Sequence, residues 1–323
     1  MKLQKLAYAV LFAAACAVFA AEPAKPANDK PKPPPPKAYV TAEEGGIAFK
    51  LQGEYEGTLA GAKAGAQVIA YKDGKFHVVL FPGGLPGAGG DAKTKIEGDG
   101  ALQGEKAVFA GALNLAVDGQ TLVGKNAAGE AIEMKKVTRQ SPTLGAKAPA
   151  GAVVLFDGTS LDAFMPGARM DKGLLLAASA PKTKQEFNDF TLHLEFCLPF
   201  MPDATGQARA NSGVYLQGRY EVQVLDSFGL KGENNECGGF YKKASPSVNM
   251  CLPALQWQTY DIDFQAAKLQ DGNETTNAVV TVKHNGVVIH DKLELKGPSG
   301  GGPLFLQNHG NPVMYRNIWI VPR

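Results

Sequence analysis

Short apolar segments, separated by glycine, proline, asparagine and aspartate, run through most of the chain after residue 38. Many alternate apolar with polar residues, which predicts β-strands because successive side chains of a strand point to opposite faces. Asp73-Gly74 separates the runs 67–71 and 76–81 and predicts a tight hairpin. Asp118-Gly119 predicts a second hairpin between the runs 108–117 and 120–124.

The C-terminal half repeats this pattern and contains almost no stretch typical of an amphipathic helix. Its predicted strands are 173–177, 189–198, 212–217, 220–225, 258–264, 278–284, 287–290, 304–307 and 313–321. Asn285-Gly286 is the strongest hairpin signal in the chain. Many antiparallel strands joined by Gly- and Pro-rich turns predict a sandwich or jelly roll. We therefore expect an all-β fold, with a small β-rich domain of unknown function at 38–140 and a jelly-roll sandwich at 153–323.

Residues 1–20 have the features of a secretory signal peptide, with Lys2 and Lys5 preceding an apolar run. Lipidation of Cys16 is a less favoured alternative, because Ala13 stands where such sites usually carry leucine. The apolar run is too short for a comfortable membrane span. We expect a secreted or periplasmic protein with no integral membrane span after removal of the signal.

Two stretches are predicted to be linkers. Residues 21–37 are rich in proline, which favours an extended polyproline conformation, and residues 141–152 combine proline with glycine. The charge of the chain adds little to this picture, since 33 Lys and Arg residues against 31 Asp and Glu residues leave a net charge of +2. This balance argues against a nucleic acid as partner.

Three cysteines remain after the signal: Cys197, Cys237 and Cys251. An odd number in an oxidising compartment suggests one disulfide and one buried thiol, and a bridge between Cys237 and Cys251 is the preferred pairing. Two unpaired buried thiols are the alternative. No Cys or His pair has the close spacing typical of a metal cluster.

The strand 220–225 carries the most informative pattern. It places Glu221, Gln223 and Leu225 on one face and apolar side chains on the other. A carboxylate and an amide on so apolar a strand indicate a polar cleft or a satisfied buried network. We interpret the stretch from Asn211 to Asp226 as the lining of a sugar-binding cleft.

Three further residues could take part in the chemistry. Strand 192–198 alternates so that Glu195 lies on its polar face, where it could share the cleft with Glu221 or be a structural partner of Arg316 or Arg219. His309 follows a strand at a turn, where functional residues concentrate. For Arg316, pairing with a carboxylate and contact with substrate stay equally open.

Several motifs in this half of the chain together resemble a known family, the secreted 3-keto-disaccharide hydrolase domain, also described as 3-keto-α-glucoside lyase and 3-keto-2-hydroxyglucal hydratase. In order, the matching motifs are Leu155-Phe156-Asp157-Gly158, Phe190 to Phe196, Asn211-Ser212-Gly213-Val214-Tyr215, Tyr220 to Asp226, Gly239-Phe240-Tyr241, Trp257-Gln258-Thr259-Tyr260, Leu306-Gln307-Asn308-His309-Gly310 and Tyr315-Arg316-Asn317-Ile318. One departure is Ala163-Phe164, where the family usually has Gly-Trp. The resemblance does not extend to residues 38–150.

The resemblance implies a concanavalin-like jelly roll that cleaves 3-keto-glucosides by β-elimination and hydration. In such a reaction Glu221 would be the base and Glu195 or His309 the acid. The predicted substrate-binding residues are Asn211, Gln223, Asp226, Tyr241, Gln307 and Arg316. No cofactor is identified with certainty, and a divalent metal bound by carboxylate and imidazole could stabilise the enolate.

Two rival functions remain. Glu221 to Asp226 has the spacing of the E-x-D-x-x-E motif of retaining glucanases with this fold, which would bring Asp226 to the cleft if the strand bulges after Gln223. Gln223 replaces the central acid of that motif, which weakens the double-displacement interpretation. The other rival is a non-catalytic, lectin-like carbohydrate-binding module, because a fold does not fix a function.

Overall fold

The computed structural model describes residues 35–270 and 274–323. The predicted signal peptide with Cys16, and residues 21–34 of the proline-rich stretch, lie outside the described residues. Within the described residues, no helix is long and apolar enough to cross a membrane. Residues 36–323 form one compact unit.

The first half of this unit is a closed antiparallel barrel of eight strands. Its strands are β1 (Gly53–Leu59), β2 (Ala62–Tyr71), β3 (Lys75–Pro82), β4 (Ile96–Gln103), β5 (Lys106–Phe109), β6 (Leu113–Val117), β7 (Thr121–Asn126) and β8 (Ala131–Val137). The barrel closes where β1 pairs with β8. Both predicted hairpins are present, as β2 with β3 and as β6 with β7. The predicted run 108–117 is divided between β5 and β6.

In the described part of the chain, one helix precedes the barrel, α1 (Ala42–Leu51), and the apolar pattern did not predict it. Thr41 caps its first turn, where the side-chain oxygen accepts a hydrogen bond from Glu44 N. Gly46 adopts φ 55° and interrupts the helical geometry, so the segment lacks the regular period of a long amphipathic helix. Leu51 is buried among the barrel core residues.

The second half is a sandwich of two antiparallel sheets, which agrees with the predicted jelly roll. The strands of the C-terminal half are β9 (Val153–Phe156), β10 (Met170–Asp171), β11 (Leu174–Leu176), β12 (Lys182–Phe187), β13 (Phe190–Cys197), β14 (Ser212–Leu216), β15 (Tyr220–Val224), β16 (Trp257–Gln265), β17 (Leu269–Gln270), β18 (Glu274–Thr275), β19 (Ala278–His284), β20 (Val287–Leu295), β21 (Gly302–Leu306) and β22 (Met314–Pro322). The four-stranded sheet has the order β12-β21-β14-β15. The larger sheet has the order β10-β11-β22-β13-β16-β19-β20, with β9 on β22, and β17 and β18 form a separate small hairpin.

The core of the sandwich lies between these two sheets. Leu192, Leu194 and Phe196 of β13 belong to one buried cluster together with Val214 of β14 and Val222 of β15. Because side chains alternate along a strand, the remaining residues of these strands face outward, away from the core. Each sheet therefore presents a second face.

The barrel is packed directly against the sandwich. Ile69, Val79 and Phe81, which lie on the barrel strands β2 and β3, belong to the buried cluster of the sandwich. In return, Phe200 of the sandwich belongs to the buried cluster of the barrel. At Gly229 a Cβ would come within 2.3 Å of Ile69 Cδ1, so the two halves approach there more closely than a side chain would allow.

The first part of the predicted linker 141–152 is bonded to the larger sheet. Ser141 Oγ lies 2.6 Å from Thr259 Oγ1, and Thr143 Oγ1 donates to Asp261 Oδ2 at 2.6 Å. Gly145 N donates to Glu195 at 2.6 Å. Residues 141–146, which we call the strap, therefore run across the outer face of the larger sheet. Side-chain and backbone hydrogen bonds, which composition does not reveal, hold them there.

We expect Phe200→Ala to destabilise the barrel and the sandwich together. Phe200 is 0% exposed, and its ring centroid lies 5.4 Å from that of Phe49 in α1. Loss of a buried phenylalanine side chain costs about 3–5 kcal/mol. Urea unfolding, followed by circular dichroism and by tryptophan fluorescence, should show one shared transition at lower urea concentration. Val123→Ala, at a position 45% exposed, is the control and should change stability by less than about 0.5 kcal/mol. A loss below about 1 kcal/mol for Phe200→Ala would contradict this packing.

Candidate functional site

The outer face of the four-stranded sheet carries a group of polar and aromatic side chains. Its core-facing residues include Val214, Leu216 and Val222, so their neighbours along the strands point outward. Pairing then sets Tyr215 opposite Glu221 and Gly213 opposite Gln223, and β21 brings Phe305 beside Tyr215. We call this surface the Glu221 face. It consists of Asn211, Gly213, Tyr215, Glu221, Gln223, Phe305 and Gln307.

Glu221 is half-buried at the centre of this face. Its Oε1 would lie 2.3 Å from a Cβ placed on Gly213, so the carboxylate occupies space that only a glycine leaves free. Burial raises the pKa of Glu221, and a hydrogen bond from the Tyr215 hydroxyl lowers it in part, with a net increase above the ordinary value. The pKa of Tyr215 is also raised, by burial and by the Glu221 carboxylate. The carboxylate is therefore a stronger base than an exposed glutamate.

A network of amides lies beside Glu221. Asn211 donates to the backbone oxygen of Gln207 at 2.8 Å, and Gln223 donates to Gln207 Oε1 at 2.9 Å and to the backbone oxygen of Asn235 at 3.4 Å. These backbone acceptors determine which way each amide points. Asn211 Oδ1 and Gln223 Oε1 are consequently buried without a hydrogen-bond donor, on residues only 1% exposed. Buried oxygens without donors are costly, and they favour a ligand that carries hydroxyl groups.

Gln307 and Tyr241 border Glu221 on two sides. Gln307 Nε2 donates to the Tyr215 hydroxyl at 3.2 Å, while Gln307 Oε1 is buried and has no partner. Tyr241 N donates to the backbone oxygen of Glu221 at 3.2 Å, which holds the half-buried Tyr241 at the edge of β15. Together with Glu221, they form a continuous row of potential hydrogen-bonding groups.

His309 is exposed on the loop that follows β21. This loop contacts the Glu221 face through Asn311, whose Oδ1 accepts a hydrogen bond from Asn211 N at 2.7 Å. Of the residues predicted for the site, the structure thus gathers Glu221, Asn211, Gln223, Gln307 and Tyr241, and places His309 on an adjoining loop.

The prediction that Glu195 shares a cleft with Glu221 is wrong. Glu195 lies on β13 in the larger sheet, where its side chain faces outward beneath the strap and is 0% exposed. The two carboxylates therefore lie on opposite outer faces of the sandwich. Arg316 Nε donates to Glu195 at 2.6 Å, so the alternative of a structural pair is the one observed. Arg316 also stacks over Trp257 at 4.0 Å, away from the Glu221 face.

The surroundings of Glu195 explain its ionisation. Burial alone would raise its pKa, but hydrogen bonds with His193, Asn317, Arg316 and Gly145 N reduce it to about 2. Such a carboxylate stays charged at neutral pH and is a poor proton donor. It holds the strap to the sheet.

Asp226 is also absent from the Glu221 face. β15 ends at Val224, and its pairing with β14 is regular, so the bulge that would bring Asp226 to the cleft does not occur. Asp226 is 2% exposed and accepts a hydrogen bond from Arg209 Nε at 2.8 Å. The prediction that Asp226 binds substrate beside Glu221 is therefore wrong, because a buried ion pair holds its side chain elsewhere.

The predicted disulfide between Cys237 and Cys251 is not formed. Both residues are buried free thiols, as is Cys197. Cys237 Sγ lies 3.3 Å from the Tyr260 hydroxyl, and Cys251 Sγ lies 3.5 Å from the backbone oxygens of Leu225 and Leu252. The alternative of unpaired buried thiols is the one observed.

Sequence reasoning missed Gln207, Tyr215 and Asn235. Tyr215 could have been predicted from the hairpin register, because if Leu216 pairs with Tyr220, the next pair places Tyr215 opposite Glu221. Gln207 and Asn235 come from separate loops and left no signal in the strand pattern.

The divalent metal stays a prediction. No cluster of three or more His, Cys, Asp or Glu side chains forms a metal site in residues 35–270 and 274–323. A hard cation near Glu221 would instead meet amide oxygens such as Asn211 Oδ1 and Gln223 Oε1, which are acceptable oxygen ligands.

The fold and this face define a class, an all-β sandwich with a carboxylate-containing polar face of the kind that handles polyhydroxylated ligands. Residues 151–321 match the 3-keto-alpha-glucoside-1,2-lyase-like domain, and the chain belongs to that family. Its second half is therefore a carbohydrate-active domain.

One solved structure agrees with this assignment. A protein from Parabacteroides distasonis ATCC 8503, titled a "putative glycosyl hydrolase", shares 34% identity with a TM-score of 0.51, and the match covers 55% of this chain and 85% of that chain. Two others of the same title and organism share 16% and 20% identity, both with TM-scores of 0.39, over 54% and 52% of this chain and 94% and 98% of those chains. No curated protein matches the chain significantly.

We expect Glu195→Gln to destabilise the fold in a pH-dependent manner. The folded-state pKa of Glu195 is lowered from 4.5 to about 2, so its contribution is complete above pH 4.5 and is lost as pH falls toward 2. The variant should lose on the order of 3 kcal/mol at pH 7 and much less at pH 3, measured by urea unfolding.

Asp263→Asn is the matched control for this experiment. Arg323 Nη2 lies 2.8 Å from Asp263 Oδ1, and both side chains are at least 40% exposed. The loss in the free energy of unfolding should therefore be below about 1 kcal/mol at either pH. An equal loss for Glu195→Gln at pH 7 and pH 3 would contradict the charged state of Glu195.

Proposed function

We propose that the protein cleaves 3-keto-glucosides by β-elimination at the Glu221 face, with Glu221 as the general base. The observation that carries the proposal is a half-buried carboxylate of raised pKa, directly opposite Tyr215 on the neighbouring strand and flanked by amide oxygens that lack donors among the described residues. A carboxylate whose pKa is nearer neutrality is better matched to abstracting a weakly acidic C–H proton.

The reaction needs three events. The ketone at C3 acidifies the C2 proton, which Glu221 removes, and the electron pair forms a C1–C2 double bond as the C1–O bond breaks. The departing oxygen takes up a proton, and water then adds across the double bond, with OH joining C1 and H returning to C2. No oxidant is consumed, and no oxocarbenium ion is required.

The proton for the leaving oxygen requires an acid other than Glu195, which lies on the opposite face. Tyr215 is the better placed candidate, because its hydroxyl lies beside Glu221 and the hydrogen bond that Gln307 donates to it lowers its pKa by stabilising the phenolate. His309, on the adjoining loop, remains a second candidate. Hydroxyl groups of the sugar would donate to Asn211 Oδ1 and Gln223 Oε1, and Phe305 would contact an apolar face of the ring.

The two rival functions have less support. Retaining hydrolysis needs a second carboxylate about 5–5.5 Å from the first. In the glucanase-like motif, Gln223 is an amide and Asp226 is paired with Arg209, so neither residue supplies a second carboxylate to the Glu221 face. A non-catalytic module would not need a base of raised pKa. Export by the predicted signal peptide, to the periplasm or beyond, is part of the proposal.

We expect Glu221→Gln to reduce kcat/KM on a 3-keto-disaccharide by about 10²–10⁴-fold, because the amide cannot accept the C2 proton. Glu233→Gln, at an exposed acid, should retain activity. The same assay with the unoxidised disaccharide separates the functions. Cleavage of the keto substrate alone supports elimination, cleavage of both supports hydrolysis, and cleavage of neither supports a binding module.

Tyr215→Phe should move the pH profile. The Tyr215 hydroxyl stabilises the charged form of Glu221, so its loss should raise the pKa of Glu221 further. Since the base must be deprotonated, the acidic limb of kcat/KM against pH should shift to higher pH. An unchanged limb in a folded variant would remove Tyr215 from contact with the base.

A chelator experiment tests the metal. If a divalent ion is required, treatment with EDTA should abolish turnover, and addition of Mn²⁺, Mg²⁺ or Ca²⁺ should restore it. Full activity after exhaustive chelation would rule out a removable metal.

A further inference from the structure

A buried guanidinium with a free donor lies where the barrel meets the sandwich. Arg209 is 4% exposed and donates from Nε to Asp226 at 2.8 Å and from Nη1 to the backbone oxygen of Ala70 in the barrel at 3.4 Å. Its Nη2 has no hydrogen-bond partner among residues 35–270 and 274–323. A buried charged donor without an acceptor is costly, so this position favours an oxygen atom supplied by a ligand.

Arg209 borders a small cavity, and a larger one adjoins it. The first has a volume of about 90 Å³ and is lined by Tyr71, Thr205, Gly206, Arg209, Asp226, Phe228 and Leu230. The second, of about 320 Å³, shares Tyr71 and Leu230 with the first and also includes Lys95, Lys231 and Glu236. The larger volume lies within the usual range for small-ligand sites, and such sites often occur between domains. We call the two cavities together the seam site.

Each cationic side chain of the seam site is paired with an acid, and Glu236 is a further acidic residue of the lining. Arg209 faces Asp226, Lys95 pairs with Glu97 at 2.5 Å, and Lys231 pairs with Glu233 at 2.7 Å. No net positive field is left to attract an anion. The site instead combines hydrogen-bond donors, hydrogen-bond acceptors and the half-buried Tyr71 ring. This combination suits a sugar, because each sugar hydroxyl can both donate and accept a hydrogen bond.

The seam site adjoins the Glu221 face. Thr205, Gly206 and Arg209 line the small cavity, and Gln207 in the same turn is bonded to Gln223 of the Glu221 face. A glycoside longer than one unit could therefore extend from one site toward the other across this turn.

We propose that the seam site binds a neutral sugar unit through Arg209 of the sandwich and Tyr71 of the barrel. The barrel, which lies outside the family match, thereby becomes part of a glycan-binding surface. This binding does not depend on the chemistry at Glu221.

Calorimetric titration of the full chain with maltose and with cellobiose tests the proposal. The wild type and Glu221→Gln should bind at least one of these disaccharides equally well, and Tyr71→Ala should weaken binding at least tenfold. Thr205→Trp, at an exposed position on the cavity wall, should block the site without removing a buried group. Tyr39→Ala, a change to another half-buried tyrosine, is the control and should bind normally. Unchanged thermal unfolding would confirm that each variant is folded.

Three results would overturn the proposal. The first is no saturable binding of either disaccharide. The second is binding that Glu221→Gln or Phe305→Ala abolishes while Tyr71→Ala and Thr205→Trp leave it intact, which would assign the sugar to the Glu221 face alone. The third is displacement of the sugar by inorganic phosphate at equimolar concentration, which would indicate an anion site.

Discussion

The two-residue alternation of β14 and β15 is the constraint on which the candidate site depends. Val214, Val222 and Val224 must face the larger sheet to complete the sandwich core, and they are 0% exposed. Burial of each such side chain contributes about 1.5–3 kcal/mol, so a register shift by one residue would be strongly unfavourable. The same alternation fixes Glu221 and Gln223 on the outer face. The free energy gained by burying these core side chains therefore offsets the cost of partly burying the Glu221 carboxylate.

Charge pairing separates residues that a strand pattern cannot tell apart. Glu195, Asp226 and Glu221 are three acids on or next to strands of one domain, yet two of them are matched to an arginine and one is not. A carboxylate paired with a guanidinium keeps a low pKa and stabilises the fold, as Glu195 does for the strap. Glu221, which has a tyrosine hydroxyl and neutral amides beside it but no arginine, has a raised pKa. The partner therefore distinguishes the two acids that stabilise the fold from the acid that we propose as the base.

The barrel and the sandwich are coupled by buried side chains exchanged in both directions, through Phe81 on one side and Phe200 on the other. This coupling holds Tyr71 and Arg209 in one geometry, with Arg209 5.3 Å from the Tyr71 ring. A mobile tether between the two halves could not maintain a binding site at their seam. The strap adds to this rigidity, because it is bonded to the larger sheet along its length.

Local pattern was sufficient for the all-β class, the main hairpins and the outward position of Glu221, because strand alternation and turn chemistry are properties of neighbouring residues. It also placed Gln223 on the same face as Glu221, whereas Asn211 and Gln307, which flank β14 and β21, were predicted to bind substrate from the family resemblance. Local pattern did not predict that the barrel closes, that α1 forms despite Gly46, or that the strap binds to the larger sheet, since each depends on contacts between distant segments. Glu195 with Arg316 and Asp226 with Arg209 are ion pairs over 121 and 17 residues. Which of these acids pair with an arginine, and which one remains without such a partner, is decided only when the tertiary structure brings the arginines to them.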